Sequence, residues 1–435
     1  MFPKVRKSKR TIYLDYAAAT PLAPLVKEAM KPFWEKRYGN SSSLHKEGRE
    51  AKSAIEIARK TIADLIGVRS SEVVFTAGGT ESANLAIFGV ARHFELAHKR
   101  KGHIISSVIE HRAVLSSIER LVGEGWKASF IKADSQGFIK FDQLKAAVRP
   151  DTVLISIIYA NNEIGTIEPI AQIGKWLKAQ NAKRKAQNLP RILFHTDACQ
   201  AAGACDVNIQ NLGVDLMTIN GSKIYGPKQT GFLYVRSGTL LEPLIYGGGQ
   251  ERGLRSGTEN VSGIVGLAKA FELVQKDRVK ENPRLQELSN YFINLIFKYI
   301  PKVELNGPLN GNDFGFQNAS LPRGREGDWQ NFKTQTGQKT QMKRLPNNVN
   351  VSFIGLEGES LVLYLDAYGI CASSGSACSS YSSNPYYVFK ALGKPLKQAR
   401  GSVRFTLGKK TTKKDIDYVM KILPLVVKDL RKSSN

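Results

Sequence analysis

The chain has 435 residues, 42% of them hydrophobic and 23% charged, with a formal net charge of +25; the composition is that of a globular protein and the length exceeds the roughly 250–300 residues one core serves, so two domains are expected. The longest apolar run, around 152–160, falls short of the ~20 residues of a spanning helix, which excludes a helical membrane protein. Four cysteines without a C-x-x-C pair exclude a disulfide framework and point to a reducing, cytoplasmic setting, and the positive charge suits acidic partners or a solvated surface rather than nucleic acid, because no zinc-finger spacing and no aromatic-basic RNA motif accompany it.

The first ten residues are basic, but no apolar signal core follows before the short strand opening at Thr11, so no secretion signal is expected. Apolar residues at Ala51, Ala54, Ile55, Ala58, Ile62 and Leu65 predict a helix over 48–67, stopped by Gly67. Short apolar runs then appear at 73–76, 103–108, 128–132, 153–159, 192–197, 216–219 and 232–235. Helical patterns such as Ile170, Ile173 and Leu177 lie between them. Strands alternating with helices predict an α/β domain over 18–260, its sheet mostly parallel and covered on both faces. From about Val261 the pattern changes to long helices followed by strands near 349–353 and 402–407. A smaller α+β domain is expected there, built from 261–435 with 1–17. Two stretches read as insertions: 180–190, which is polar and basic, and 309–344, rich in Gly, Gln, Asn and Lys. The second is too polar to bury much surface and is expected to be a mobile surface loop.

Several residues at strand ends have the chemistry that pyridoxal phosphate requires: a lysine for its aldehyde, a carboxylate for its pyridinium nitrogen, and a cradle for its phosphate. Lys223, in Asn220-Gly221-Ser222-Lys223, follows a short strand and has glycine on both sides, at Gly221 and Gly226; such a lysine also suits a surface turn. Asp197 ends the run 192–197, where a buried carboxylate needs a cationic partner; an aspartate there also suits a helix start. Gln200, three residues on, can reach the ring oxygen. Thr76-Ala77-Gly78-Gly79-Thr80-Glu81-Ser82 is a glycine turn entering a helix N-terminus, which either binds an anion or simply caps the helix. His111, just beyond the run 103–108, can stack on a ring and trade protons, or serve only as a polar helix start. Cys378 lies in Ser373-Ser374-Gly375-Ser376-Ala377-Cys378-Ser379-Ser380, a poor core segment in which a thiol is exposed enough to react. Cys371 ends an apolar run and is expected to be buried.

These motifs, with Tyr13-Leu14-Asp15-Tyr16, Asn161-Asn162-Glu163-Ile164-Gly165, His195-Thr196-Asp197, Arg252-Gly253-Leu254-Arg255-Ser256-Gly257-Thr258 and Val403-Arg404-Phe405, resemble those of the cysteine desulfurases, from about Ile12 to about Val426. These are fold-type I pyridoxal-phosphate transferases, and the long cysteine loop resembles the branch tied to iron–sulfur assembly and nitrogen fixation. The resemblance implies that Lys223 holds the cofactor, Asp197 its ring nitrogen, and Gln200 and Asn162 its ring-oxygen side. Gly79, Thr80, Asn220 and Ser222 would surround the phosphate, with Thr258 arriving from the second subunit of a homodimer. His111 would stack on the ring and handle protons, and Arg404 would take the substrate carboxylate. Cys378 would become a persulfide, with no resident metal, and would pass sulfur to an iron–sulfur scaffold or carrier, transiently ligating a cluster there. Three positions depart from the family pattern: Asn220 stands where serine is usual, and Ser222 and Gln250 stand where histidine is usual. The implied reaction turns L-cysteine into L-alanine. Selenocysteine lyase or a related small-amino-acid lyase is the alternative on the same fold, and a non-catalytic scaffold the alternative outside enzymes.

Overall fold

The computed structural model describes residues 11–310, 342–375 and 386–433. Its main sheet has seven strands in the spatial order Val73–Thr76, Gly231–Val235, Leu216–Asn220, Leu193–Asp197, Thr152–Ser156, His103–Ser107 and Lys127–Ile131. All are parallel except Gly231–Val235, which is antiparallel to both its neighbours. The two central strands Thr152–Ser156 and Leu193–Asp197 are almost wholly buried. Both faces of the sheet are covered, so that even His195, Thr196 and Asp197 are buried. One face packs on a core that includes Ile62, Phe194, Phe232 and Phe271. The other packs on Ile87, Val90, Leu154 and Leu233. The helix Lys46–Ile66 ends at Gly67 in the left-handed conformation (φ +74°), the stop its sequence predicts.

A second, four-stranded antiparallel sheet runs Ser373–Ser374, Ser402–Thr406, Asn348–Phe353, Val303–Leu305. Ile12 and Leu14 join its core with Phe292, Val351 and Phe405. The N-terminal strand Ile12–Tyr13 pairs with Ile370–Cys371. The helix Val261–Tyr299 passes from one core to the other: Leu267 and Phe271 face the large sheet, Phe292 and Ile296 the small one. The fold is therefore α/β, a mostly parallel seven-stranded sheet beside a smaller antiparallel one.

The stretch 180–190 is largely helical. The helix Ile170–Ala186 continues through most of it. Arg184, only 3% exposed, turns inward and donates to the carbonyls of Pro190, Arg149, Pro150 and Thr152. Residues 311–341, most of the stretch 309–344, lie outside the described residues. At its base the Asn310 side chain accepts from the N–H groups of Lys343 and Arg344 and donates to the Arg344 carbonyl.

Candidate active site

Asp197 is the last residue of a central strand and is 6% exposed; its Oδ1 accepts from the Cys199 N–H at 3.0 Å. The adjacent strand ends at Asn220 and turns through the single 3-10 turn Gly221–Lys223, which delivers Lys223 to the same rim. The Lys223 Nζ donates to the carbonyls of Ala17 (2.9 Å) and Ala18 (2.6 Å). Gln200 also donates to the Ala17 carbonyl, at 2.9 Å. His111 caps the helix Arg112–Gly123, its Nδ1 accepting from the Ala113 N–H at 3.1 Å, so the neutral ring carries its proton on Nε2. Burial holds His111 below the usual histidine range; the Asp197 carboxylate opposes this and Lys223 adds to it. The structure thus brings Asp197, Lys223 and His111 into one electrostatic neighbourhood.

Beside Lys223 lies a cavity of about 330 Å³ lined by Gly79, Thr80, Asn220 and Ser222, with Ala18 and Lys228. Gly79 opens the helix Gly79–His98, and its N-cap Gly78 has φ +137°, a backbone conformation suited to glycine. A Cβ at Gly79 would come within 2.8 Å of the Cys199 Sγ. The bare backbone therefore brings the positive end of the helix against the cavity wall. Asn220 Oδ1 accepts from both the N–H and the Oγ of Ser222, each at 3.1 Å, so the turn is already ordered. A cavity with a helix N-terminus, two hydroxyls and Lys228 on its walls suits a phosphate dianion. Asn162 nearby is 7% exposed, and its Oδ1 has no hydrogen-bond partner among the described residues. The residues present fit pyridoxal phosphate.

Arg404, on the strand Ser402–Thr406, faces this rim from the small sheet and is fully buried. Its Nη1 donates to the Asn162 carbonyl (2.9 Å) and to Glu163 Oε1 (3.3 Å), its Nη2 to Asp15 Oδ1 (3.1 Å). Burial pushes Glu163 above the usual carboxylate range, and Arg404 pulls it back.

Of the other residues picked out by sequence, Thr258 is exposed and does not line the cavity of its own chain. Its loop is pinned by a bidentate pair between Arg59 and Glu251, both contacts 2.7 Å. Cys378 lies outside the described residues. Cys371, expected to be buried, is partly exposed on its two-residue strand. The roles of Asp15 and Glu163, and of the Ala17 and Ala18 carbonyls, were missed. Asp15 and Glu163 sit in two of the motifs that carry the family resemblance, which was the one signal available for them.

Sheet order, the lysine and aspartate at neighbouring strand ends, and the adjoining cavity define a class: pyridoxal-phosphate enzymes of the aminotransferase type. The family model for aminotransferase class-V matches residues 12–318 and 329–419. A cysteine desulfurase IscS of Dictyoglomus turgidum is 47% identical over 423 residues, covering 97% of this chain and 96% of its own length. The cysteine desulfurase IscS of Methanosarcina thermophila is 42% identical, covering 99% and 95%. Among solved structures, a NifS-like protein aligns with a TM-score of 0.82 at 33% identity, over 97% of this chain and 100% of its own. SspA in complex with cysteine aligns with a TM-score of 0.70 at 34% identity, over 91% and 99%. The chain belongs to the aminotransferase class-V family and, within it, to the cysteine desulfurases.

Proposed function

We propose that this enzyme converts L-cysteine to L-alanine and leaves the sulfur on its own Cys378 as a persulfide, for delivery to an iron–sulfur scaffold or sulfur carrier. The observation that carries the reading is the rim itself: Lys223, Asp197 and His111 beside an anion-ready cavity, with a buried arginine facing them. Lys223 would bond the cofactor's aldehyde carbon, Asp197 its ring nitrogen, and Gly79, Thr80, Asn220 and Ser222 its phosphate; Gln200 and Asn162 would lie on the ring-oxygen side. When bound, pyridoxal phosphate draws electron density from the substrate α-carbon.

The chain's own groups then have separate tasks. Arg404 binds the substrate carboxylate, a planar fork matched to a planar anion. The Lys223 amine removes the α-proton. His111, which desolvation holds below the usual histidine range, accepts the substrate thiol proton. The Cys378 thiolate attacks the substrate sulfur: an S–S bond forms, the Cβ–S bond breaks with its electron pair left on the carbon side, and protonation there completes the methyl group of alanine. We read the functional unit as a cytoplasmic homodimer in which each chain lends Thr258 to the other's phosphate site. No described helix is long and apolar enough to cross a membrane.

The test is to feed L-cysteine to wild type and to Cys378→Ser, then measure alanine and the mass of the peptide carrying residue 378. Wild type gains one sulfur atom on that peptide. The serine variant keeps the cofactor and makes almost no alanine. Full alanine production by Cys378→Ser moves the enzyme to the lyase reading, which comparison of cysteine with selenocysteine then resolves.

A further inference from the structure

Among the described residues Arg404 is the largest side chain that is fully buried. A buried guanidinium demands a counter-charge, and the two carboxylates beside it differ in kind. Glu163 is fixed: its side chain is 6% exposed, and its carbonyl accepts from the side chains of Asn348 (3.1 Å) and Asn350 (3.0 Å). Its burial also disfavours its charge, an effect that Arg404 opposes. Asp15 has a side chain 19% exposed. Its backbone is held independently, because Thr406 N–H donates to the Leu14 carbonyl at 2.7 Å and Tyr16 N–H to the Thr406 carbonyl at 3.4 Å. Rotation of one side chain therefore frees the Asp15 carboxylate and leaves the segment in place.

That segment also adjoins the cofactor lysine. Two and three residues beyond Asp15, the carbonyls of Ala17 and Ala18 accept from Lys223. Arg404, Asp15 and Lys223 all act electrostatically on Glu163. An α-amino acid that presents its nitrogen toward Lys223 and its carboxylate to the Arg404 fork would compete with Asp15 for the Nη2 that it now holds.

We propose that Asp15 is a resident carboxylate that keeps the Arg404 fork in its binding orientation and is displaced by the carboxylate of the incoming amino acid. Asp15 is thus a positioning residue that sets substrate affinity. The inference rests on the reading of Arg404 as the substrate-carboxylate residue.

The test uses the cofactor-loaded enzyme and its Asp15→Asn, Asp15→Glu and Arg404→Lys variants. It measures KM and kcat for L-cysteine, and the dissociation constants of L-alanine and of ethylamine, which is alanine without its carboxylate. Removing a partly exposed competing charge should lower the KM for cysteine and the dissociation constant of alanine by about three- to tenfold in Asp15→Asn. The gain appears in KM and not in kcat. Ethylamine binds wild type and Asp15→Asn alike, and Asp15→Glu, which restores the anion, returns alanine affinity to the wild-type value. Asp15→Ser gives the same sign as Asp15→Asn, so a folding defect peculiar to the amide does not hide the result. If Arg404→Lys weakens alanine binding while both neutral Asp15 variants bind it no better than wild type, the displacement idea falls and the Arg404 reading stands. If Arg404→Lys leaves alanine binding intact, both fall.

Discussion

The two rims that face each other across the site are built on opposite plans. On the large sheet, Asp197, Lys223 and His111 sit at the ends of strands or the start of a helix, and several of their contacts are local. Asp197 accepts from Cys199, His111 from Ala113, and Asn220 orders Ser222. On the small sheet, Arg404 is held by side chains 241 and 389 positions away in sequence, Glu163 and Asp15. A strand end in a parallel sheet is a ready position for chemistry, and the residue type there nearly declares its task. A buried cation on an antiparallel strand declares only that it needs partners, and those partners come from wherever the chain returns.

The sharpest way to break this contrast is at Asp197. If its task is set by its place at the strand end, Asp197→Asn keeps the backbone contact to Cys199 and the cavity, and so retains some cofactor. A neutral amide cannot balance a ring cation in a low-dielectric site. Cysteine turnover should therefore fall by about a hundredfold or more, about 2.7 kcal/mol of lost transition-state stabilisation. Turnover at the wild-type rate would show that the carboxylate is not the electron-sink partner.

Next in size is Glu110, the neighbour of His111, a carboxyl on the same rim but sealed behind it. Its Oε1 accepts from Ser107 (2.6 Å) and from the Ile158 N–H (2.8 Å). Its Oε2 is buried without a hydrogen-bond partner among the described residues. Burial pushes its pKa up to about 8. The folded protein therefore holds a proton that the unfolded chain releases above the ordinary carboxylate range, and stability contributed at this position is lost as pH rises toward 8. Glu110→Gln keeps the accepting oxygen and removes the titration. Its melting temperature relative to wild type should climb from about pH 4.5 upward and level off above pH 8. A difference that stays constant across pH 5 to 9 would mean that Glu110 is not a buried neutral acid.

The contrast between the rims also accounts for what the sequence revealed. Strand positions, the mostly parallel sheet beside a smaller α+β unit, and the places of Lys223, Asp197 and the Gly79 turn were legible because period, glycine placement and strand ends are local signals. The carboxylates around Arg404 were not, because nothing near Asp15 in sequence announces a partner at the far end of the chain. The stretch 180–190 hid its packing for a different reason. It is polar and basic in sequence, yet Arg184 is buried and satisfied by four carbonyls. A guanidinium can join main-chain ends with no apolar residue to mark the spot.

The smallest expected effect is at the stretch 309–344, and it tests whether the small-sheet rim stands on its own. The family match stops at 318 and resumes at 329. Asn310 ties the two flanks together through Lys343 and Arg344. From there the contacts lead inward: Arg344 donates to the carbonyl and Oδ1 of Asn348, and Asn348 donates to the carbonyl of Glu163, the partner of Arg404. Among the described residues the flanks thus form a continuous path to Arg404. Replacing 311–341 by two glycines should leave the protein yellow, with an unchanged KM for cysteine. Shortening a polar connection of about thirty residues to a few removes closure entropy worth at most about 2 kcal/mol, at about 0.6 kcal/mol per halving. The melting temperature should thus hold or rise by about 1–4 °C. Titration with cysteine, followed by the cofactor's visible absorbance and by alanine formation, checks both halves. A colourless protein would make the segment part of the fold. A yellow protein with a raised KM would mean that the segment supports Arg344, and that the small-sheet rim depends on more of the chain than the contacts through Asn310 and Asn348.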